Sequence, residues 1–249
     1  MRQIMGRLVT LTALDLADTL KPPGFDIMIV LLAALGGSLA VIQPLTQGYV
    51  IVFSVLEITM IAITIYLALR GAAGITSLIE SGIMNVYLSY PIPREGIAVV
   101  LLISRVLVPS ILLLGAPTLV AVIILWRNVI DHPLEVVAMY SSYLIQAFFY
   151  GSVFALISLK AKTPGASGVI SVAFYFVYNV AAVLLAHIGA SRGLEELTKI
   201  ANSMILHIAL YNMYSGAYNL DLWNLAFVPL AAGLTASAFI VYFTVRFEP

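Results

Sequence analysis

The stretch "ESGIMNVYLSYPIPREG", Glu80 to Gly96, carries two carboxylates, an arginine and two prolines between two long apolar segments. The segments are Tyr49 to Leu69 before it and Ile97 to Trp126 after it. Each is long enough to cross roughly 30 Å of hydrocarbon at about 1.5 Å per helical residue. A polar interruption of this kind brings the chain back to water between two crossings. That reading sets the fold class as an all-α integral membrane protein.

Composition agrees. The 249 residues are 62% hydrophobic and only 10% charged, with a mean hydropathy of +1.06. A soluble domain is nearer half apolar and a quarter charged. Twelve basic and twelve acidic residues cancel, so no bulk electrostatic attraction to nucleic acid exists. The absence of cysteine removes disulfides, thiolate zinc sites and iron–sulfur clusters.

Six apolar stretches are predicted to cross the lipid bilayer: Phe25 to Gln43, Tyr49 to Leu69, Ile97 to Trp126, Val136 to Leu159, Gly168 to Ile188, and Leu222 to Val245. Pro109 and Pro117 predict kinks in the third. Short cytoplasmic loops retain lysine and arginine. Arg2, Arg7, Lys21, Arg70, Arg94, Lys160, Lys162 and Arg246 fall on one side, against Arg127, Arg192 and Lys199 on the other. Both termini are therefore expected in the cytoplasm of a cell whose plasma membrane holds the chain. The organisation is a single transmembrane domain. Residues 1–22 are an amphipathic interface helix, 25–69 hold spans one and two, and 70–96 are a cytoplasmic loop. Spans three to five occupy 97–188, residues 189–221 form an outer segment, and 222–245 are span six.

The interface helix has Ile4, Leu8 and Leu11 on one side and Gln3, Arg7 and Thr10 on another, with Asp15 interrupting the apolar stripe. The lack of a small-residue cleavage site argues against a signal peptide. The outer segment starts polar and turns apolar and tyrosine-rich, which predicts a re-entrant or interfacial hairpin. Tyr211, Tyr214, Tyr218 and Trp223 are then at headgroup level. The rival is a seventh span from Ala201 to Tyr218, against which Asn202, Ser203, His207 and Asn212 weigh.

Within the opening stretch, Ser77 and Glu80 match a capping box. A helix starting there runs to about Ser89, because Pro91 disfavours a helical Tyr90. Its predicted apolar face is Ile79, Ile83, Val86 and Tyr90, opposite Ser81, Asn85 and Ser89. By amphipathicity alone this is a connector lying on lipid. However, Glu80, Gly82, Leu88, Ser89, Pro91, Ile92 and Arg94 fall in an order that resembles the segment after the second span of ABC type-2 permeases. These are the membrane subunits of ATP-driven exporters, and Asn85 stands where that family commonly carries an acid.

The resemblance implies a coupling helix between spans two and three, with Lys160 and Lys162 in "KAKTPG" as a smaller second contact. It further implies two copies of an ATP-binding-cassette ATPase subunit, which would hold ATP and Mg, and a second identical or homologous permease subunit. The chain itself has no G-x-x-x-x-G-K-[ST] loop to cradle phosphates. No cofactor and no catalytic role are expected on it.

Glu57 and Arg105 are ionisable groups at membrane depth. A charge there costs roughly 2.5 to 3.5 kcal/mol on insertion scales. Estimated depths differ by about 6 Å, so the two either pair or stay apart, Arg105 reaching the headgroups and Glu57 staying neutral. Tyr140, Tyr143, Gln146 and Tyr150 recur at helical spacing on span four, and Tyr175, Tyr178 and Asn179 cluster on span five. They either line a translocation pathway or pack with satisfied hydroxyls.

Other functions are weighed on the same residues. Glu57 as a proton site would suit an ion-coupled secondary transporter. "GASG" (Gly165 to Gly168) and "AHIGA" (Ala186 to Ala190) resemble rhomboid protease signatures. Ser167 and His187 would then have to meet within hydrogen-bond reach. A haem subunit needs paired histidines at matching depth, and His132, His187 and His207 all fall near the predicted outer face.

Overall fold

A computed structural model describes residues 2–42, 48–216 and 222–245, and among them it is helical throughout, with no strand. The chain begins with α1 (Arg2–Thr19), α2 (Gly24–Ile42) and α3 (Gly48–Tyr66). After a π-helical stretch, Leu67–Ala72, the same rod continues as α4 (Ala73–Glu80) and is followed by α5 (Ile83–Ser89). Next come α6 (Arg94–Leu102), a second π-helical stretch at Ile103–Leu107, α7 (Val108–Ile124) and the short α8 (Trp126–Ile130). The remainder is α9 (Pro133–Ser158), α10 (Pro164–Ser191), α11 (Glu195–Ser203), α12 (Leu206–Tyr214) and α13 (Leu222–Val245).

Six of these rods are long and apolar enough to cross a membrane: Gly24–Ile42, Val52–Glu80, Arg94–Ile124, Pro133–Ser158, Pro164–Ser191 and Leu222–Val245. They are spans one to six below, and the architecture is that of an all-helical, multi-pass membrane protein. Spans two, three and four form its interior, and spans one, five and six its periphery. Gln43, Tyr218 and Arg246, used in the sequence reading, lie outside the described residues.

The second rod overruns its predicted end by eleven residues. Leu67, Ala68, Gly71, Ala72, Ile75, Thr76 and Leu78 keep a buried face, so burial carries the helix past Arg70 to Glu80. Ser77 is therefore interior to α4, its carbonyl accepting from the Ser81 N–H at 3.0 Å. The expected capping box does not form, because the turn it would start already exists. What ends α4 is Gly82, at φ +74° and ψ 0°. This left-handed conformation is cheap only for glycine. The helix restarts at Ile83 and stops at Tyr90, extended at ψ 144° as the following proline requires.

That restart also rotates α5. Met84 is buried, with Tyr87 and Leu88 half-buried at i+3 and i+4, while Ile83, Val86 and Tyr90 face outward. Of the predicted apolar face, Ile83, Val86 and Tyr90 are thus exposed, while Ile79, on α4, packs against the core. The buried side joins a core under this end of the bundle, including Leu11, Ile75, Ile97, Leu101 and Phe239. A larger core fills the middle, built on Leu56, Ile63, Leu67, Leu113, Tyr143 and Phe154.

Pro109 lies in the first turn of α7, directly after the second π-helical stretch, while α7 runs on through Pro117. Proline has no N–H to offer the carbonyl four residues back, and the wider π turn sits where that carbonyl, of Arg105, is freed. Thr163 caps α10 by accepting from the Ala166 N–H at 3.2 Å, with Pro164 at the first helical position. Between spans five and six, α11 and α12 are nine residues each. Each is about 13 Å long, well short of roughly 30 Å. The break at Met204 and Ile205 rules out a continuous seventh span over the described part of Ala201 to Tyr218.

Candidate functional site

Among the described residues, two clusters built on charged groups lie inside this apolar fold. The first holds Arg105, at the second π-helical stretch of span three. Its Nη2 is 2.6 Å from Asp15 Oδ1 and its Nε is 3.1 Å from both carboxylate oxygens. Asp18, mostly exposed, adds a contact at 3.2 Å. Ser104 donates a short hydrogen bond to Asp15 Oδ2, and the Tyr87 hydroxyl lies 3.5 Å from Oδ1. Tyr66 donates to the Thr19 carbonyl at 2.7 Å. The cluster therefore ties α1, span two, α5 and span three together.

Asp15 interrupts the apolar stripe of α1 because that stripe, continued through Leu11, Asp15 and Thr19, is the buried face. Charge complementarity, not lipid, is what this position meets. Arg105 accordingly does not pair with Glu57. α1 brings two carboxylates, Asp15 and Asp18, to the arginine.

Glu57 belongs to the second cluster, toward the α11–α12 hairpin. Its Oε2 is 3.0 Å from His207 Nε2 of α12 and 2.9 Å from the Tyr143 hydroxyl of span four. The imidazole stacks on Tyr143 at 4.1 Å between centroids, and Tyr211 stacks on Phe53 at 4.3 Å. Gln146 Oε1 accepts from the Leu206 N–H at 3.0 Å. The sequence marks His207 as a polar residue unsuited to a seventh span and as one of three histidines near the predicted outer face, but does not point to Glu57 as its partner. Its reach to Glu57 depends on the Met204–Ile205 break.

Tyr143, Gln146, Tyr150 and Tyr175 are buried within the chain. Asn179 Nδ2 donates to the Tyr150 hydroxyl at 3.0 Å and to the Tyr175 carbonyl at 2.8 Å, and Tyr178 donates to the Met204 carbonyl at 2.7 Å. Among the described residues, the hydroxyls of Tyr143, Tyr150 and Tyr178 are hydrogen-bonded within the packed interior. Tyr140 is more peripheral. It donates to the Ile111 carbonyl at 3.2 Å beside an apolar groove between spans one, three and four.

At the α5 end, Glu80, Asn85, Ser89, Pro91 and Arg94 are exposed, and Leu88 is half-buried. Lys160 lies over the Tyr242 ring at 5.3 Å, and Lys162 is exposed. Thr76 donates to the Ser158 carbonyl at 3.0 Å, which sets the 159–163 turn at the same end of the bundle as α4 and α5. Ser167 and His187 sit near opposite ends of one continuous helix, α10. At about 1.5 Å per residue they are some 30 Å apart, and no protease dyad forms.

Compared with known protein families and with curated proteins, the chain matches none.

Proposed function

We propose that this chain is the membrane-spanning permease subunit of an ABC exporter, working as a dimer and driven by a separate ATPase. The observation that carries the reading is α5. It is a discrete helix, set off by Gly82 and Pro91, that seats Met84 in a core shared with α1, α6 and α13 and leaves Ile83, Val86 and Tyr90 exposed. An apolar outward face flanked by Glu80 and Arg94 suits a groove on another protein better than it suits water. In this role the N-terminus, α5 and the 159–163 turn are cytoplasmic. Closure of two nucleotide-bound ATPase subunits pushes α5, and the rigid rods of spans two and three carry the motion inward.

The test is a mild-detergent pull-down, then ATPase and transport assays in the reconstituted complex. The triple variant Ile83→Ser/Val86→Ser/Tyr90→Ser alters only exposed groups. It is expected to keep the folded elution profile while losing the ATPase subunit or its coupling to transport. Unchanged coupling would reject the assignment. A half-exposed carboxylate beside a histidine, Glu57 with His207, favours a second reading as an ion-coupled transporter. Transport that persists without any companion ATPase would select it.

A further inference from the structure

Span four ends at Ser158, and Lys160 follows in the next turn, at the depth where acyl chains give way to headgroups. The Lys160 N–H bonds the Ile157 carbonyl at 3.1 Å, so the turn continues the direction of the helix. Val153, Leu156, Ile157 and Lys160 accordingly fall at i, i+3, i+4 and i+7, on one face. A lysine at this depth commonly extends into water. This one lies over the Tyr242 ring of span six, its Nζ 5.3 Å from the centroid. It has no acidic partner among the described residues.

The ammonium stands at one end of a groove of about 530 Å³, lined by Val153, Leu156 and Ile157 of span four, Ile170 of span five and Ala238 of span six. From Val153 to Lys160 the groove runs about 10 Å, and apart from Lys160 and Tyr242 its lining side chains are apolar. Apolar walls at acyl-chain depth therefore lead to one uncompensated cation at headgroup depth. An anionic phospholipid presents the complement in the same order, a hydrocarbon chain and then a phosphate. A choline or ethanolamine headgroup brings its own cation to the phosphate, so it gains less from Lys160. We propose that the groove between spans four, five and six is a binding site for a phospholipid of net negative headgroup. One acyl chain lies along Val153, Leu156 and Ile157, and the phosphate meets Lys160 Nζ. The site rests on the multi-pass architecture and not on the permease reading. It turns Lys160 toward lipid, so Lys162, exposed in the same turn, is the lysine left for an ATPase contact.

The experiment uses the full-length chain, with any subunits that copurify, in phosphatidylcholine vesicles doped with phosphatidylglycerol that carries a diazirine on one acyl chain. After illumination, mass spectrometry is expected to find label on peptides holding Leu156, Ile170 or Ala238. A phosphatidylcholine probe with the same tail should label these positions about fivefold less, the scale of one lysine acting on a headgroup charge. Lys160→Gln should bring phosphatidylglycerol labelling down to the phosphatidylcholine level, while Lys162→Gln leaves most of it. In the unmutated chain, replacing part of the phosphatidylcholine by unlabelled phosphatidylglycerol should slow reductive methylation of Lys160 more than that of Lys162, so a poorly folding variant does not leave the matter open. Equal labelling by the two probes, equal losses in the two variants, or no selective protection of Lys160 overturns the site. Cross-links between the groove residues of two copies, with lipid label absent, assign the groove to a second copy of the chain and overturn it as well. Nucleotide is absent from the assay, so failure here leaves the permease reading to its own pull-down.

Discussion

Asp15 Oδ1 lies 2.6 Å from Arg105 Nη2, and both side chains are buried although they are 90 residues apart in sequence. Breaking a buried pair from one side strands the other charge, at a cost of about 3–5 kcal/mol. Asp15→Asn is therefore expected to lower the thermal unfolding midpoint in detergent strongly. Asp18→Asn removes a 63% exposed partner and should cost about 1 kcal/mol or less. Adding Arg105→Met to Asp15→Asn should recover part of the loss. Glu57→Gln and Arg105→Met, in separate clusters, should combine additively.

Gly74 makes room for that arginine. A methyl group at this position would collide with Arg105 Nη1, and the guanidinium cannot swing aside without leaving Asp15. Gly74→Ala should destabilise by about 1–3 kcal/mol, the usual scale of overpacking, although alanine is the better helix former. Gly233→Ala, where nothing lies within 4 Å of the added carbon, is the control. Equal unfolding midpoints for the two variants would show that Arg105 is not clamped.

Tyr87 reports on the same cluster through pH. Burial first, and then the Asp15 carboxylate, push its phenol up to about 12 from the usual 10. An acid whose folded pKa is raised holds its proton more tightly when folded. Its contribution is whole below about pH 10 and is lost as pH rises through about 12. The wild type should therefore lose more stability than Tyr87→Phe between about pH 8 and about pH 11. Unfolding midpoints at the two pH values check this, and parallel losses would contradict it.

Hydropathy made the six rods readable, since an apolar run of that length has few alternatives. Pro91 made the end of α5 readable, because it disfavours a helical Tyr90, whereas the start at Gly82 was hidden by the capping-box reading. The capping box at Ser77 misled because a cap is defined by what precedes it, and burial of Ile75 and Leu78 continued the previous helix through it. The partners of Arg105 and Glu57 were hidden for a different reason. Asp15 and His207 lie outside the spans, on α1 and α12, and only tertiary packing carries those short helices to the depth of the charges. Asp15 did leave a trace as the one acid in the α1 stripe.

The hairpin contact makes the last prediction. Ile205 precedes α12 without a side-chain cap of its own, and the Leu206 N–H is met instead by Gln146 Oε1 from span four, at 3.0 Å. Gln146→Leu keeps the bulk and removes the acceptor, leaving a buried N–H unbonded at about 1–3 kcal/mol. Local opening of α12 should become roughly tenfold more frequent. Hydrogen exchange would read this as faster labelling of Leu206 to Ala209 with α10 unchanged. Because His207 is the next residue and bonds Glu57, the same variant should also make Glu57 more reactive toward carbodiimide. Faster exchange without greater reactivity would mean that the carboxylate is held by Tyr143 alone.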